Sequence, residues 1–198
     1  MKVKGYLSRQ ELFRKLIHIT SLAVPVLYFF VPRRQLLLLI LAGLVIAVII
    51  ESLRFASRPF GRLFERVFAP LMRDQERTHL TGATFLILGF LITTLLFPRK
   101  PAIFGMFVTG FSDAAAALVG RTVGQHRLPG GKTLEGSLAF CSATFLLAVV
   151  MFPLPWPLLL AVAVVTTFTE LIWRYSTDNL FLPVFAALLI WLIHHVPF

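Results

Sequence analysis

Long apolar segments dominate this sequence and constrain its fold more than any other feature. Seven of them approach the ~20 residues that a helix needs to cross a bilayer. They cover roughly residues 14–31, 35–53, 79–97, 101–119, 134–152, 156–173 and 179–196. With 58% hydrophobic residues and twenty Phe among 198, the chain carries more apolar surface than a soluble domain of this size buries. We therefore predict one all-α, polytopic membrane domain over residues 1–198, with about seven transmembrane helices.

One amphipathic segment lies between the second and third of these predicted spans. Within residues 58–72 the apolar side chains share one helical face, and arginines lie off it. Pro59 suits the first turn of such a helix. The pattern predicts an amphipathic helix that lies in the plane of the membrane interface. The alternative is a long extension of the third span.

The basic residues are distributed unevenly among the loops. Fifteen of the nineteen Lys and Arg fall in the N-terminal arm and in the connections after spans two, four and six. Because cytoplasmic loops are enriched in Lys and Arg, this bias predicts a cytoplasmic N-terminus and an external C-terminus. The same bias accounts for the net charge of +10 without a nucleic-acid partner, and it suits an integral protein of the inner or plasma membrane.

The nine acidic residues all fall on or near the predicted cytoplasmic face. Asp113 is the deepest, about six residues or ~9 Å inside the fourth span at 1.5 Å per residue. A carboxylate at that depth is costly unless it is paired, hydrated or bound to metal, so it is a functional candidate. Four further acids at span ends are placed to converge on it from separate helices: Glu51, Glu135, Glu170 and Asp178.

The connection after the fourth span, GRTVGQHRLPGGKTLEG at residues 120–136, has the composition of a phosphate-binding loop. It holds five of the twelve glycines, which let a backbone approach a phosphate closely. Its cations supply countercharge, and the helix that follows adds oriented N–H groups. The predicted nucleotide-binding residues are Gly120, Arg121, Gly124, Gly131, Lys132, Thr133, Glu135 and Gly136. The alternative is a flexible turn that carries ordinary cytoplasmic charge.

This loop is not a Walker A motif, since that pattern would need glycine where His126 stands. A magnesium site is nevertheless expected beside it. Mg²⁺ is usually bound by one or two carboxylates together with substrate phosphates. The predicted metal ligands are Asp113, Glu135 and Asp178.

Two shorter motifs flank the loop. In RKLIH, Arg14 and His18 lie one helical turn apart with Lys15 beside them, and they are predicted to contact an anionic substrate. The alternative is that the cations extend to the membrane interface while His18 is satisfied internally. In STDNLFLP, Asp178 and Asn179 begin the seventh span. They either cap that helix or contact metal and substrate.

The central block SDAAAALVGRTVGQHRLPGGKTLEGSLAF resembles the nucleotide-binding region of the CTP-dependent lipid-alcohol kinases. That family comprises the dolichol kinase, phytol kinase and yeast-type diacylglycerol kinase group. RKLIH, LMRDQERTHLTGATFLILG and DNLFLP also resemble that family and follow its order. The chain is similar to the short bacterial members. Ser112 departs from the pattern, since glycine usually stands at that position.

The resemblance implies transfer of the γ-phosphate of CTP to a membrane lipid alcohol, of polyprenol, phytol or diacylglycerol type, with Mg²⁺ at the cytoplasmic face. In this interpretation Asp113, Lys132 and Asp178 are catalytic. The substrate contacts come from Arg14, Lys15, His18 and Asn179.

Two other functions are weighed against this one. Phosphatidate cytidylyltransferases share a similar block, but they carry a later H-G-G-x-x-D-R-x-D stretch that this sequence lacks. An anion transporter would need polar residues deep in several spans and on both faces. The predicted external half of this chain is nearly free of charge.

Overall fold

The structure of the protein, a computed structural model, describes residues 18–69, 72, 74–172 and 177–195. Nearly all of these residues are helical. Across these ranges β pairing is limited to one isolated bridge, between Arg127 and Thr133. The predicted all-α class is therefore confirmed.

The helices follow the apolar segments of the sequence. Their bounds are α1 His18–Phe30, α2 Arg33–Ala56, α3 Arg58–Phe68, α4 Gly82–Leu96, α5 Arg99–Phe107, α6 Asp113–Thr122, α7 Leu134–Met151, α8 Trp156–Ile172 and α9 Asp178–His195. A five-residue π-helical turn, Val108–Ser112, joins α5 to α6. Short 3-10 turns occur at Asp74–Arg77 and Pro129–Gly131. Pro32 and Pro98 directly precede α2 and α5, where a missing N–H costs no helical hydrogen bond.

Four helical segments are long and apolar enough to cross a membrane: Arg33–Ala56, Arg99–Thr122, Leu134–Met151 and Asp178–His195. Three others, α1, α4 and α8, are apolar but shorter. Large apolar side chains are widely exposed, with Phe30 at 80% and Val150 at 75%. Exposed apolar surface of this extent needs lipid around it. The protein is an all-α membrane protein.

The core is built around α9, which packs against α4, α5 and α8. One buried cluster joins α9 to α1, α2, α4 and α5 and includes Tyr28, Phe90 and Ala187. A second cluster joins α9 to α5, α7 and α8 and includes Phe140 and Leu159. A single central helix thus ties both sides of the bundle together.

The crossing of α5 and α9 depends on Gly105. A Cβ atom there would clash with the Pro183 carbonyl oxygen and lie 3.1 Å from the Ala187 Cβ. We expect Gly105→Ala to lower the melting temperature by about 5 °C, because overpacking a core costs ~1–3 kcal/mol. Unfolding in detergent is followed through reaction of Cys141, the single cysteine, with a thiol-reactive fluorophore.

The control for this experiment is Gly43→Ala in α2, where a Cβ atom would meet nothing within 4 Å. That variant should melt at or slightly above the wild-type temperature, since alanine favours a helix over glycine. Equal melting temperatures for the two variants would contradict the close crossing.

The amphipathic segment forms the separate helix α3. The Oγ of Ser57 accepts a hydrogen bond from the Phe60 N–H at 3.5 Å, and Pro59 stands in the first turn. The predicted helix over 58–72 ends earlier, at Phe68, because Pro70 has no N–H with which to continue the helical hydrogen bonds. The alternative of an extended third span is wrong, since α4 begins only at Gly82.

Candidate active site

Asp113 follows directly on the π-helical turn of the fourth predicted span. Such turns inside α-helices are frequent at functional sites. Within the turn, Gly110 admits α1 closely, and a Cβ atom at Gly110 would lie 3.2 Å from the His18 carbonyl oxygen. Ser112 is fully buried, and its Oγ accepts a hydrogen bond from Thr144 Oγ1 at 3.0 Å. The residue that departs from the family pattern therefore has a packing role.

The close approach of α1 brings His18 to Asp113. The His18 Nδ1 lies 3.6 Å from Asp113 Oδ2, with the two side chains 10% and 25% exposed. The two motifs from which these residues come, RKLIH and the central block, thus meet in space. Arg14 and Lys15, the other predicted substrate contacts, lie outside the described residues.

Lys132 extends from the glycine-rich loop to the end of α8. Its Nζ lies 2.6 Å from Glu170 Oε1 and also donates to the Glu170 backbone oxygen. The charges of Asp113 and Asp178 both act on Glu170. The carboxylate of α8 therefore pairs with the lysine of the predicted nucleotide loop, and the carboxylates of α6 and α9 lie within electrostatic range of Glu170.

Glu170 is one of the acids expected to converge on Asp113, although it is not among the predicted site residues. Its signal in the sequence is plain, since it is the single acidic residue in α8. The partner of that acid is not readable from the sequence, because the pair with Lys132 spans 38 residues.

The glycine-rich loop folds back on itself as a short hairpin. The Leu128 N–H donates to the Lys132 carbonyl oxygen at 2.8 Å, and the Leu134 N–H donates to the His126 carbonyl oxygen at 2.9 Å. Glu135 closes the hairpin, since its carboxylate accepts from His126 Nδ1 at 2.7 Å and from the His126 backbone N–H. The loop is thus structured by its own contacts, and Glu135 makes two of them.

Thr133 is the joint between this hairpin and α7. Its Oγ1 accepts a hydrogen bond from the Gly136 N–H at 3.1 Å and so caps the helix. A Cβ atom at Gly120 would lie 2.7 Å from Thr133 Oγ1, and one at Gly136 would lie 2.9 Å from the Ala116 carbonyl oxygen. The glycines therefore let α6 and α7 pack closely around the cap.

Four glycines are predicted to bind the nucleotide, and the structure distinguishes one of them. Gly120, Gly124 and Gly136 are packed against Thr133 or one another. Gly131 has φ +81°, and a Cβ atom there would meet nothing within 4 Å. Gly131 is the member of this set that is not packed against a neighbour, and nucleotide contact by all four stays a prediction.

Asp178 and Asn179 begin α9 beside the start of α4. Asp178 Oδ1 accepts a hydrogen bond from the Asn179 backbone N–H at 2.9 Å. Asn179 is buried, and its Nδ2 donates to the Gly82 carbonyl oxygen at 3.0 Å. Asn179 thus joins α9 to α4 beside Asp178. Its contact with substrate stays a prediction.

A second polar cluster joins the end of α2 to the segment that precedes α4, and it is not evident from the sequence. Arg54, only 7% exposed, pairs with Glu51 Oε2 at 2.6 Å and donates to the carbonyl oxygens of Glu76 and His79. Glu51 in turn accepts from the Thr81 N–H at 2.7 Å. From the sequence, Arg54 is only one of the loop charges, and Glu51 is expected to converge on Asp113. The structure places Glu51 against Arg54 instead.

The three predicted magnesium ligands differ in their surroundings, and metal binding by them stays a prediction. Among the residues that the structure describes, no group of three or more His, Cys, Asp or Glu side chains has the spacing of a metal site. Glu135 is held by His126, whereas Asp113 and Asp178 share the neighbourhood of Glu170. Two carboxylates suit the oxygen chemistry of Mg²⁺, because substrate phosphates supply further ligands. The residues present therefore fit a nucleotide-bound magnesium ion.

Comparison with known proteins identifies relatives across most of the chain. CTP-dependent diacylglycerol kinase 1 of Schizosaccharomyces pombe is 31% identical over 179 residues, which cover 80% of this chain and 81% of the relative. An uncharacterised protein of Rickettsia prowazekii is 31% identical over 180 residues, covering 86% and 88%. Dolichol kinase of Saccharomyces cerevisiae is 32% identical over 105 residues, covering 52% and 20%.

No family model and no solved structure matches the chain. The relatives nevertheless agree with the family that the central block, RKLIH and DNLFLP resemble. The chain belongs to the family of membrane lipid kinases that includes CTP-dependent diacylglycerol kinase and dolichol kinase.

Proposed function

We propose that the protein transfers the γ-phosphate of CTP to the hydroxyl group of a membrane lipid alcohol at the cytoplasmic face, with Mg²⁺. The acceptor is of polyprenol, phytol or diacylglycerol type. One observation carries the proposal. In a chain of this kinase family, the loop lysine Lys132 is paired with Glu170, a carboxylate on which the charges of Asp113 and Asp178 also act, and Asp113 in turn lies beside His18.

Phosphoryl transfer depends mainly on positioning and on charge stabilisation. In our proposal, Lys132 neutralises charge that develops on the transferred phosphoryl group. The backbone at Gly131 accepts the close approach of a phosphate, because its positive φ and open space leave room there. Magnesium bound with the nucleotide would be held by Asp113 and Asp178 and would supply further countercharge to the phosphates.

The acceptor hydroxyl must lose its proton as it attacks phosphorus. Asp113 or Asp178 orients that hydroxyl and accepts the proton. We assign this role first to Asp113, because it directly follows the π-helical turn of its span and lies beside His18, whose Nδ1 is 3.6 Å from its carboxylate.

The proposed topology has seven spans with the N-terminus in the cytoplasm and the C-terminus outside. The distribution of Lys and Arg supports this orientation. It puts the acidic site at the cytoplasmic face, where nucleotides are available. The helix α3 lies in the interface and lines the lateral entrance for the lipid, since Leu63 and Val67 are exposed beside Arg62 and Arg66.

The test uses purified protein in vesicles with Mg²⁺, CTP labelled at either the α- or the γ-phosphate, and two kinds of acceptor offered separately, a set of lipid alcohols and phosphatidate. We expect labelled lipid from γ-labelled CTP only, and none after the divalent cations are chelated. Labelled lipid from α-labelled CTP would instead indicate cytidylyl transfer. Nucleotide or phosphate flux into the vesicles without labelled lipid would indicate a transporter.

A further inference from the structure

Glu170 binds the ammonium group of Lys132 at two points. Its carboxylate lies 2.6 Å from Nζ, and its backbone oxygen accepts a second hydrogen bond from the same nitrogen. A lysine ammonium has three N–H donors, so these two contacts leave one for a ligand. We propose that Glu170 is a positioning residue that fixes Lys132 and directs its remaining N–H to the transferred phosphate. This inference rests on the proposed function.

Glu170 offers two different groups to the same cation. Its backbone oxygen, a neutral dipole, accepts a hydrogen bond from the Lys132 ammonium group. Its carboxylate adds a full negative charge beside the same nitrogen. The two groups belong to one residue of α8, so they approach Lys132 from one fixed side.

Burial makes the contact specific. The side chain of Glu170 is 11% exposed and that of Lys132 is 25% exposed. A carboxylate this buried is costly unless it is paired and hydrogen-bonded. The nearby charges of Asp113 and Asp178 repel that of Glu170, so the charged form of Glu170 depends on the ammonium group of Lys132. The pair therefore restrains the direction of the lysine side chain as well as its charge.

The other end of Lys132 is also held. Its backbone oxygen accepts from the Leu128 N–H at 2.8 Å, and the next residue, Thr133, caps α7. Lys132 is thus fixed by the hairpin at its backbone and by Glu170 at its ammonium group. A lysine held at both ends is pre-organised for a phosphate and needs little rearrangement when the nucleotide binds.

The first measurement compares the kinetics of wild type, Glu170→Gln and the control Thr169→Val. Thr169 is the neighbouring buried residue, and its hydroxyl donates to the Val165 carbonyl oxygen in the same helix. We expect Glu170→Gln to lower kcat by about 100-fold, because a misplaced catalytic group costs that much. Its KM for CTP should change little, as for an interaction that acts in the transition state. Thr169→Val should resemble wild type.

The second measurement does not depend on activity. The modification rate of Lys132 by an amine-reactive reagent is followed by mass spectrometry in the absence of substrate. We expect the rate to rise several-fold in Glu170→Gln, because the amine loses its ionic partner, and to stay at the wild-type value in Thr169→Val. This experiment tests the pair itself, even if the wild-type protein phosphorylates none of the lipids offered.

Wild-type kcat in Glu170→Gln, or an unchanged modification rate of Lys132, would overturn the inference. An inactive wild-type protein with the expected modification pattern would instead count against the proposed function. Should Glu170→Gln fail to fold, Glu170→Asp keeps the buried charge but shortens its reach by one methylene. That variant should show faster modification of Lys132 and a reduced kcat, and wild-type values of both would contradict the role proposed for Glu170.

Discussion

Asp113→Asn is expected to reduce transfer of the γ-phosphate to lipid by about 10³-fold, the range that positioned acid–base groups supply. Asparagine keeps the size of the side chain but removes its charge and its ability to accept a proton. The partner His18, 3.6 Å away, would then face a neutral amide. Because the backbone of the π-helical turn is unaffected, the variant should fold and keep its melting temperature.

The measurement is the rate of lipid phosphorylation at saturating CTP, together with the melting temperature in the same detergent. Glu65→Gln is the matched control, since Glu65 is an exposed acid on α3 and the substitution is chemically similar. The control should retain wild-type activity. Full activity in Asp113→Asn would remove Asp113 from the mechanism, and the proposed reaction would need a different base.

Arg54→Met is expected to be strongly destabilising. It leaves the carboxylate of Glu51, a residue only 4% exposed, without its cation, and it removes donors from the carbonyl oxygens of Glu76 and His79. Breaking a buried ion pair costs ~3–5 kcal/mol. For a chain of this size that is a fall of about 10 °C in melting temperature.

Arg58→Met is the control for Arg54→Met, because Arg58 is exposed at the start of α3 and its loss should leave the melting temperature almost unchanged. The double variant Glu51→Gln/Arg54→Met should recover part of the lost stability, since no charge is then stranded. If Arg54→Met melted at the wild-type temperature, the Glu51–Arg54 cluster would not stabilise the start of α4. The contact between Gly82 and Asn179 would then not depend on that cluster.

The sequence alone is sufficient to predict where the helices lie. Apolar segments of nearly constant length, separated at VPRRQ and FPRKP by proline, leave few alternatives, and α2 and α5 begin just after Pro32 and Pro98. The π-helical turn at Val108–Ser112 is not predictable in this way, because it depends on how α1 and α7 pack around Gly110 and Ser112.

The site is predictable only where a motif names its residues. Asp113, His18, Lys132 and Asp178 belong to recognisable segments. The fold pairs His18 with Asp113 and puts the charges of Asp113 and Asp178 within range of Glu170, the partner of Lys132. Glu170 and Arg54 belong to no motif, and their partners are set by tertiary contacts. For Arg54 the clue is present but ambiguous, because an arginine near a membrane boundary is usually explained by the cytoplasmic bias of basic residues.

The glycines of the 120–136 loop show that a motif does not state what each of its residues contacts. Glycine permits close approach of any group, whether a phosphate or another helix. At Gly120 and Gly136 the group in contact is Thr133 and the facing helix. Composition cannot distinguish these two uses, whereas the space around Gly131 can be examined only in three dimensions.

The π-helical turn also separates two tasks within one membrane-spanning segment. A π turn holds one residue more than an α turn, and an α-helix rotates about 100° per residue. The extra residue therefore changes the azimuth of everything that follows it. Before the turn, residues 101–106 are all buried in the bundle, whereas no residue of Asp113–Thr122 is fully buried. The first half of the segment is thus held by close packing, while the π-helical turn sets the direction of Asp113 in the second half. Substitutions that change the packing of residues 101–106 therefore need not change the orientation of the Asp113 carboxylate.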